Sequence, residues 1–238
     1  MKAIILLAGY ATRMYPLTEN QPKALLPLKG KPVIDYILDQ INKLPVDTIY
    51  AVTNSKFYPH FVEWAKTAPT AIPIEVLDDG TTSNENRRGA IGDILFAINE
   101  KNIDDDLFIV AGDNYFTYDL TEQYDLFLRT GCDTIAGKAI DDINQLKAFA
   151  VATLDPNGKV LSLVEKPAIP PSNMAIYATY FYKKDTVPLF KQYLSEGNNP
   201  DAPGLFPQWL HTRRDVYSYT MNGDCYDIGT IEMYEKMK

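Results

Sequence analysis

The residues best suited to chemistry lie in a long basic loop after the first apolar run of the sequence. Residues 13–31 hold four cations and a single acid, Glu19. The segment between Ala8 and Pro32 is far longer than a β-α connection requires. In open α/β sheets ligands bind outside the carboxyl ends of strands, and a loop with Gly9 and several prolines can turn backbone N–H groups toward phosphate oxygens. In so acidic a chain, this local excess of positive charge indicates a bound polyanion.

Two carboxylates follow the loop in the sequence at positions where chemistry is expected. Asp113 comes directly after the apolar run 107–111, at the carboxyl end of a predicted strand, and Asp227 precedes the last predicted helix. Mg²⁺ prefers one or two carboxylates together with substrate oxygens. Each aspartate could instead be a turn former or a helix cap, because aspartate is common at such places.

The order and spacing of the loop residues favour the chemical interpretation over a solvated surface connection. The segment resembles the signature of the sugar nucleotidyltransferases (nucleotide-sugar pyrophosphorylases), A-G-x-G-T-R-x-x-P-x-T-x-x-x-P-K-x-x-x-P-x-x-G-K-P. The positions that match in register are Thr12, Arg13, Pro16, Thr18, Pro22, Lys23, Pro27, Gly30, Lys31 and Pro32.

The resemblance implies roles for residues of the loop and for those beyond it. Arg13 and Lys23 would be the catalytic cations that contact a nucleoside triphosphate. The nucleotide-binding residues would be Leu7, Ala8, Gly9, Thr12, Asn84 and Gly89.

Three further motifs extend the resemblance over residues 2–237. Asp113 and Asp227 match the family motifs G-D-N and D-x-G-T-x-E, whose aspartates hold Mg²⁺. Glu165 and Lys166 match V-E-K-P, so by resemblance they bind the hydroxyls and the phosphate of a sugar 1-phosphate. The implied reaction is in-line attack of the acceptor phosphate on the α-phosphorus with release of pyrophosphate, which needs no covalent intermediate and no general base.

The sequence departs from the family pattern at the base-reading and acceptor positions. Ala11 replaces a glycine, and its methyl group restricts access to positive φ. Asn84 or Thr82 stands in for the usual base-reading glutamine, so the base is not assigned. Ala150 and Ala178 also replace glycines, which leaves a cholinephosphate-type acceptor as an alternative. A non-catalytic nucleotide-sensing subunit on the same fold is the second alternative. A dinucleotide-binding oxidoreductase is disfavoured, because no G-x-G-x-x-G opens a helix after the first strand.

Composition narrows the class of protein further. The formal net charge of −8 at pH 7 argues against a nucleic-acid binder, which needs clustered cations. No stretch approaches membrane-spanning length, and Cys132 and Cys225 lie far apart outside any metal-binding spacing, as in a cytoplasmic protein with reduced thiols. The sequence is compatible with a homo-oligomer.

The elements that must position these residues follow from hydrophobic periodicity. β-Branched runs alternate with helical segments, which predicts a Rossmann-like three-layer α/β fold, with a mostly parallel mixed sheet and a small antiparallel substrate lobe, in one domain over residues 1–238. The predicted strands are 3–7, 48–53, 72–77, 107–111, 149–154, 159–164 and 175–182, with a hairpin turn at 155–158. The predicted helices are 32–42, 57–66, 91–99, 187–194 and 231–237.

Overall fold

The computed structural model describes residues 1–238, with Asp227 described by its backbone alone. The strands are β1 Lys2–Leu6, β2 Pro27–Leu28, β3 Lys31–Pro32, β4 Thr48–Thr53, β5 Ile74–Asp78, β6 Leu107–Ala111, β7 Asn114–Phe116, β8 Asp133–Ala139, β9 Ala150–Leu154, β10 Val160–Glu165, β11 Met174–Tyr182, β12 Val216–Thr220 and β13 Cys225–Asp227. The α-helices are α1 Val33–Ile41, α2 Tyr58–Ala65, α3 Ala90–Lys101, α4 Leu120–Thr130, α5 Ile143–Leu146, α6 Val187–Ser195, α7 Leu205–Leu210 and α8 Ile231–Met237.

The first half of the chain builds the parallel part of a nine-stranded sheet. β1 lies between β6 and β4, and β4 pairs with the edge strand β5, all in parallel. Register places Leu6 beside both Ala111 and Val52, so the carboxyl ends of these strands meet at one edge. The loops that leave this edge therefore lie close together.

The second half of the chain adds the antiparallel part of the sheet. The long strand β11 pairs with β6, β8 and β9, and β9 pairs with the edge strand β10. β12 is an exception, because it runs parallel to β8. The sheet is thus continuous from its parallel half to the predicted antiparallel lobe.

Helices cover both faces of the sheet and make three layers. Alternate residues of β1 point to opposite faces, with Ala3 and Ile5 in one apolar cluster and Ile4 in the other. Helices α1, α2 and α4 pack in the first cluster, while α3, α6 and α7 pack in the second. The predicted three-layer α/β fold is confirmed. None of the helices in the described part of the chain is both long and apolar enough to cross a membrane.

The predicted elements all occur, with boundaries shifted by a few residues at most. The hairpin turn forms as predicted: Gly158 has φ 84°, and the Asp155 carboxylate accepts hydrogen bonds from two backbone N–H groups of the turn. The structure also contains elements that periodicity did not predict, chiefly β7, β8, β12, β13, α4 and α7.

Candidate functional site

The basic loop is folded into a compact turn at the carboxyl end of β1. Ala11 adopts the left-handed conformation, φ 48° and ψ 40°, directly before a 3₁₀ turn at Thr12–Met14. The Ala11 carbonyl accepts hydrogen bonds from Met14 N at 2.9 Å and from the buried Thr18 Oγ1 at 2.8 Å. The alanine therefore takes the backbone conformation that a glycine would favour at this position.

Two adjoining cavities lie at the carboxyl edge of the sheet. One of about 490 Å³ is lined by most of the predicted nucleotide site, namely Ala8, Gly9, Thr12, Arg13, Lys23, Asn84, Gly89 and Asp113. We call it the nucleotide cavity. The other, of about 420 Å³, is lined by Glu165 and Lys166, and we call it the acceptor cavity. Both cavities are also lined by Arg13 and Asp113.

Leu7 is placed differently from the other predicted nucleotide-binding residues. It lines a smaller cavity of about 40 Å³ next to Lys23 and Gly112, whereas Leu6 lines both this cavity and the nucleotide cavity. Leu7 thus backs the site, and Thr82 is not among the residues that line the nucleotide cavity.

Lys23 and Asp113 are in direct contact although they are distant in sequence. Lys23 Nζ donates to Asp113 Oδ2 at 2.5 Å, and the two side chains are 14% and 32% exposed. Gly112, directly before Asp113, lies close to the end of β1. A Cβ at this position would collide with the Leu7 side chain and lie 3.1 Å from the Leu6 carbonyl oxygen.

Asp227 reaches the same region through its backbone. β13 pairs antiparallel with β7 so that Asp227 is opposite Asn114, and Ile228 N donates to the Asp113 carbonyl at 3.2 Å. The side chain of Asp227 lies outside the described residues. Among residues 1–226 and 228–238 there is no group of three or more His, Cys, Asp or Glu side chains that could hold a metal ion.

The acceptor cavity combines a half-buried carboxylate with a strained lysine. Burial raises the pKa of the Glu165 carboxyl, and the charge of Lys166, whose Nζ is 3.8 Å away, lowers it by less. Lys166 has φ 46°, an unusual backbone conformation for a side chain of this size. The cavity is also lined by aromatic side chains and by two alanines that the sequence singled out: Phe149, Tyr177, Tyr180, Ala150 and Ala178.

An ion pair that the sequence did not predict joins the two halves of the site. Arg87 Nε and Nη2 donate to the two oxygens of Asp201, each at 2.8 Å. Beside it, Ala90 N at the start of α3 donates to the Asp201 carbonyl, and Gly89, with φ 79°, lies so close to Pro200 that a Cβ would clash with its carbonyl. The partners are far apart along the chain, so no local signal connects them.

A second group that the sequence did not predict is a pair of buried acids beside the nucleotide cavity. Asp79 is 1% exposed and Asp93, which lines the cavity, is 5% exposed. Burial, followed by the charge and hydrogen bond of Asp79, raises the pKa of Asp93 to about 8, and Arg88 opposes the shift. Buried carboxyls are uncommon, so helical periodicity alone gives no reason to expect Asp93 inside.

Comparisons with known proteins agree with this geometry. A family model described as nucleotidyl transferase matches residues 2–238. A Sulfolobus acidocaldarius protein that carries the provisional name mannose-1-phosphate guanyltransferase is 32% identical over 245 residues, covering 100% of this chain and 62% of its own length. A UTP–glucose-1-phosphate uridylyltransferase of Synechocystis is 28% identical, covering 98% of this chain and 61% of its own.

Solved structures show the same fold at lower identity. A structure of UDP-glucose pyrophosphorylase in complex with UDP-glucose superposes with a TM-score of 0.82 at 20% identity, covering 99% of this chain and 96% of that one. The chain therefore spans nearly all of this neighbour, but less than two thirds of the two relatives above.

Proposed function

We propose that this chain, which belongs to the nucleotidyl transferase family, transfers a nucleoside monophosphate from a nucleoside triphosphate to a sugar 1-phosphate and releases pyrophosphate. The observation that carries the proposal is the pair of adjoining cavities that share Arg13 and Asp113. A donor phosphate and an acceptor phosphate, one in each cavity, would meet at these shared residues. The names of the relatives supply the substrate class.

The proposed mechanism is in-line displacement at the α-phosphorus. An ionised phosphate oxygen of the acceptor forms the new P–O bond while the bond to the pyrophosphate oxygen breaks. No proton has to be removed from the nucleophile, so alignment and charge neutralisation supply the catalysis. Arg13 and Lys23, both at the nucleotide cavity, would neutralise the negative charge that accumulates on the phosphates.

The donor set of the site fits a hard divalent cation. The Asp113 carboxylate is at the edge where both cavities meet, and Mg²⁺ is usually held by one or two carboxylates together with substrate phosphates rather than by a protein cage. We propose that Asp113 and Asp227 hold Mg²⁺, which would supply charge neutralisation at the phosphates. Arg13 and Lys23 would bind and orient the triphosphate.

Glu165 and Lys166 are the proposed acceptor-binding residues. The Glu165 side chain is 13% exposed and Lys166 Nζ is its nearest cation, at 3.8 Å, so the carboxylate can accept hydrogen bonds from acceptor hydroxyls. The Lys166 ammonium, whose side chain is 61% exposed, would bind the acceptor phosphate.

We also propose a cytoplasmic location, which the cysteine usage of the sequence supports.

A cholinephosphate-type acceptor is the second candidate, and the walls of the acceptor cavity favour it. Phe149, Tyr177 and Tyr180 line this cavity next to the Glu165 carboxylate. Aromatic faces and a carboxylate together attract a quaternary ammonium group. The alanines at positions 150 and 178 leave less room for a sugar ring than glycines would.

One assay tests these proposals together. The protein is incubated with each nucleoside triphosphate, Mg²⁺ and a panel of sugar 1-phosphates and phosphocholine, and pyrophosphate is followed. Release with a sugar 1-phosphate supports the main proposal, and release with phosphocholine alone supports the second. No release with any pair contradicts both and favours a non-catalytic sensing subunit. Chelation with EDTA should abolish release if Mg²⁺ is required.

A matched pair of variants ties activity to the site. Asp113→Asn removes a proposed metal ligand but keeps the shape of the side chain. Asp104→Asn makes the same change at the opposite end of β6, where the side chain is 79% exposed and pairs with Lys184. Activity should be lost in the first variant and kept in the second.

A further inference from the structure

Asp79 and Asp93 are neighbouring buried acids, and each has one oxygen without a hydrogen-bond partner in the described part of the chain. Asp79 Oδ2 and Asp93 Oδ1 are both buried, and neither accepts a hydrogen bond from the described part of the chain. The two side chains are within hydrogen-bonding reach of each other. Two ionised carboxylates side by side in a buried place repel each other, and a proton held between them would give both unpartnered oxygens a hydrogen bond.

The groups that face this pair decide which acid holds the proton. Asp79 Oδ1 accepts hydrogen bonds from Thr81 N and Thr81 Oγ1, each at 2.7 Å, so this carboxyl already has two donors. Asp93 has no comparable donor, and the nearby cation Arg88 gives its Nε–H to the Asp79 carbonyl at 2.6 Å rather than to a carboxylate. The Tyr10 hydroxyl is a further titratable group here: burial raises its pKa, and its contact with Thr81 opposes the rise. Asp93 is therefore the acid that keeps the proton.

Asp79 holds both ends of the loop that borders the nucleotide cavity. Its side chain fixes Thr81 at the start of the loop, and its carbonyl fixes Arg88 at the end. Between these points the loop carries Asn84, which lines the cavity, as does Asp93 itself. The position of the loop thus depends on Asp79. The position of Asp79 in turn depends on whether the Asp93 carboxyl offers it a hydrogen-bond donor or a negative charge.

We propose that Asp93 is a positioning residue for the nucleotide: its protonated carboxyl donates to Asp79 and thereby holds the loop at residues 79–88 against the nucleotide cavity. The proposal rests on the proposed function for the identity of the ligand. Ionisation of Asp93 replaces this hydrogen bond by repulsion between two carboxylates, which displaces Asp79 and the loop. Nucleotide binding then weakens. The acceptor cavity is lined by neither acid and is affected less, through the contact of Arg87 in the loop with Asp201, which lines both cavities.

The test is a pH profile that separates the two substrates. KM values for the nucleoside triphosphate and for the acceptor are measured from pH 7.5 to 9.5, where the phosphates are fully ionised, with whichever of ATP, GTP, CTP, UTP and dTTP is turned over. In the native protein the nucleotide KM should rise about tenfold, the equivalent of one lost buried hydrogen bond, and the acceptor KM should rise by clearly less. Asp93→Asn keeps a donor toward Asp79 but cannot ionise, so its nucleotide KM should stay low and flat.

A control variant distinguishes positioning from a loss of stability. Asp133 is another buried acid, 2% exposed, that bonds to Thr186 away from both cavities. Asp133→Asn should lower the melting temperature and leave the nucleotide KM and its pH profile as in the native protein. A native profile that stays flat, or an Asp93→Asn profile that rises like the native one, overturns the proposal.

The proton itself can be observed without any variant and without turnover. The ¹³C chemical shifts of the aspartate carboxyls report protonation, and one buried aspartate should still be protonated at neutral pH. If every aspartate is ionised at pH 7, the proposal is wrong even if the enzyme is active. If no nucleotide is turned over, the proposed function fails, and the carboxyl titration still decides whether the pair shares a proton.

Discussion

The left-handed backbone at Ala11 predicts that Ala11→Gly stabilises the protein. An L-residue in this region loses about 1–2 kcal/mol relative to the ordinary helical region, and glycine avoids that cost. Glycine also destabilises the folded protein by about 0.5–1 kcal/mol, because it increases the conformational freedom of the unfolded chain. With φ 48° and ψ 40° at Ala11, the net expected gain is about 0.5–1 kcal/mol in the free energy of unfolding.

The contacts around Ala11 explain why the conformation should survive the substitution. Its carbonyl is held by Met14 N and by Thr18 Oγ1, and neither bond involves the Ala11 side chain. The methyl group can therefore be removed without loss of a hydrogen bond. For a chain of this size, the expected gain corresponds to a rise of about 1–4 °C in the melting temperature.

The measurement is urea unfolding together with thermal unfolding, with a control at an ordinary backbone position. Ala97 lies inside α3 and is fully buried, so Ala97→Gly should lose about 1 kcal/mol or more. The reasoning is refuted if Ala11→Gly is destabilised as much as Ala97→Gly. That outcome would show that the entropy of glycine outweighs the strain at position 11.

Further predictions concern the site and its pH dependence. Asp113→Asn should lower kcat by about 100-fold or more with an unchanged near-UV circular dichroism spectrum, because it removes charge from the shared edge of the cavities but keeps its shape; a kcat within a few-fold of native would remove the metal assignment. Lys166→Met should raise the acceptor KM by about 10- to 100-fold, the value of a charged contact to phosphate, and leave the nucleotide KM alone; a rise in the nucleotide KM instead would place Lys166 on the other substrate. Glu165→Gln should keep hydrogen-bond acceptance but weaken it, so the acceptor KM should rise by less than about tenfold, as steady-state kinetics can measure; no change would mean that hydroxyls are bound elsewhere. Because the folded pKa of Asp93 is raised to about 8 from 3.8, the folded protein holds a proton that the unfolded chain releases, and stability should fall as pH rises from 4 to 8. Urea unfolding at both ends of this range should show a loss in the native protein that exceeds the loss in Asp93→Asn by about 2 kcal/mol or more, since the variant still loses stability through Asp133, whose pKa burial raises to about 6. Equal losses would contradict the assignment.

The sequence predicted the parallel core well because its signals are local. The runs that form β4 and β6 are buried on both faces, so they read as continuous apolar strands and their predicted bounds, 48–53 and 107–111, agree with the structure. β8 escaped prediction because Asp133–Ala139 holds small and charged residues among its apolar ones. What makes it a strand is pairing with β11 and β12, which is contributed by distant parts of the chain.

Local sequence signals also predicted some residues of the site, whereas others depend on partners that are distant in the sequence. Arg13, Lys23 and Asp113 were predicted to converge, and they do, because each follows a strand whose carboxyl end is at the same edge of the sheet. Asp93 and Arg87 were not predicted as parts of the site. Each acquires its partner, Asp79 or Asp201, only when the chain has folded, and neither pair is marked by spacing or residue type.

The Arg87–Asp201 pair shows why position rather than energy decides which ion pairs matter for the site. Its side chains are 44% and 49% exposed, and exposed pairs contribute only about 0–1 kcal/mol to stability. Asp201, however, lines both cavities, and Arg87 lines the nucleotide cavity next to Asn84. Since each charge already neutralises the other, Arg87 offers less free positive charge to the nucleotide cavity than its position suggests. The pair therefore serves mainly to hold the two loops together at the boundary between the two cavities.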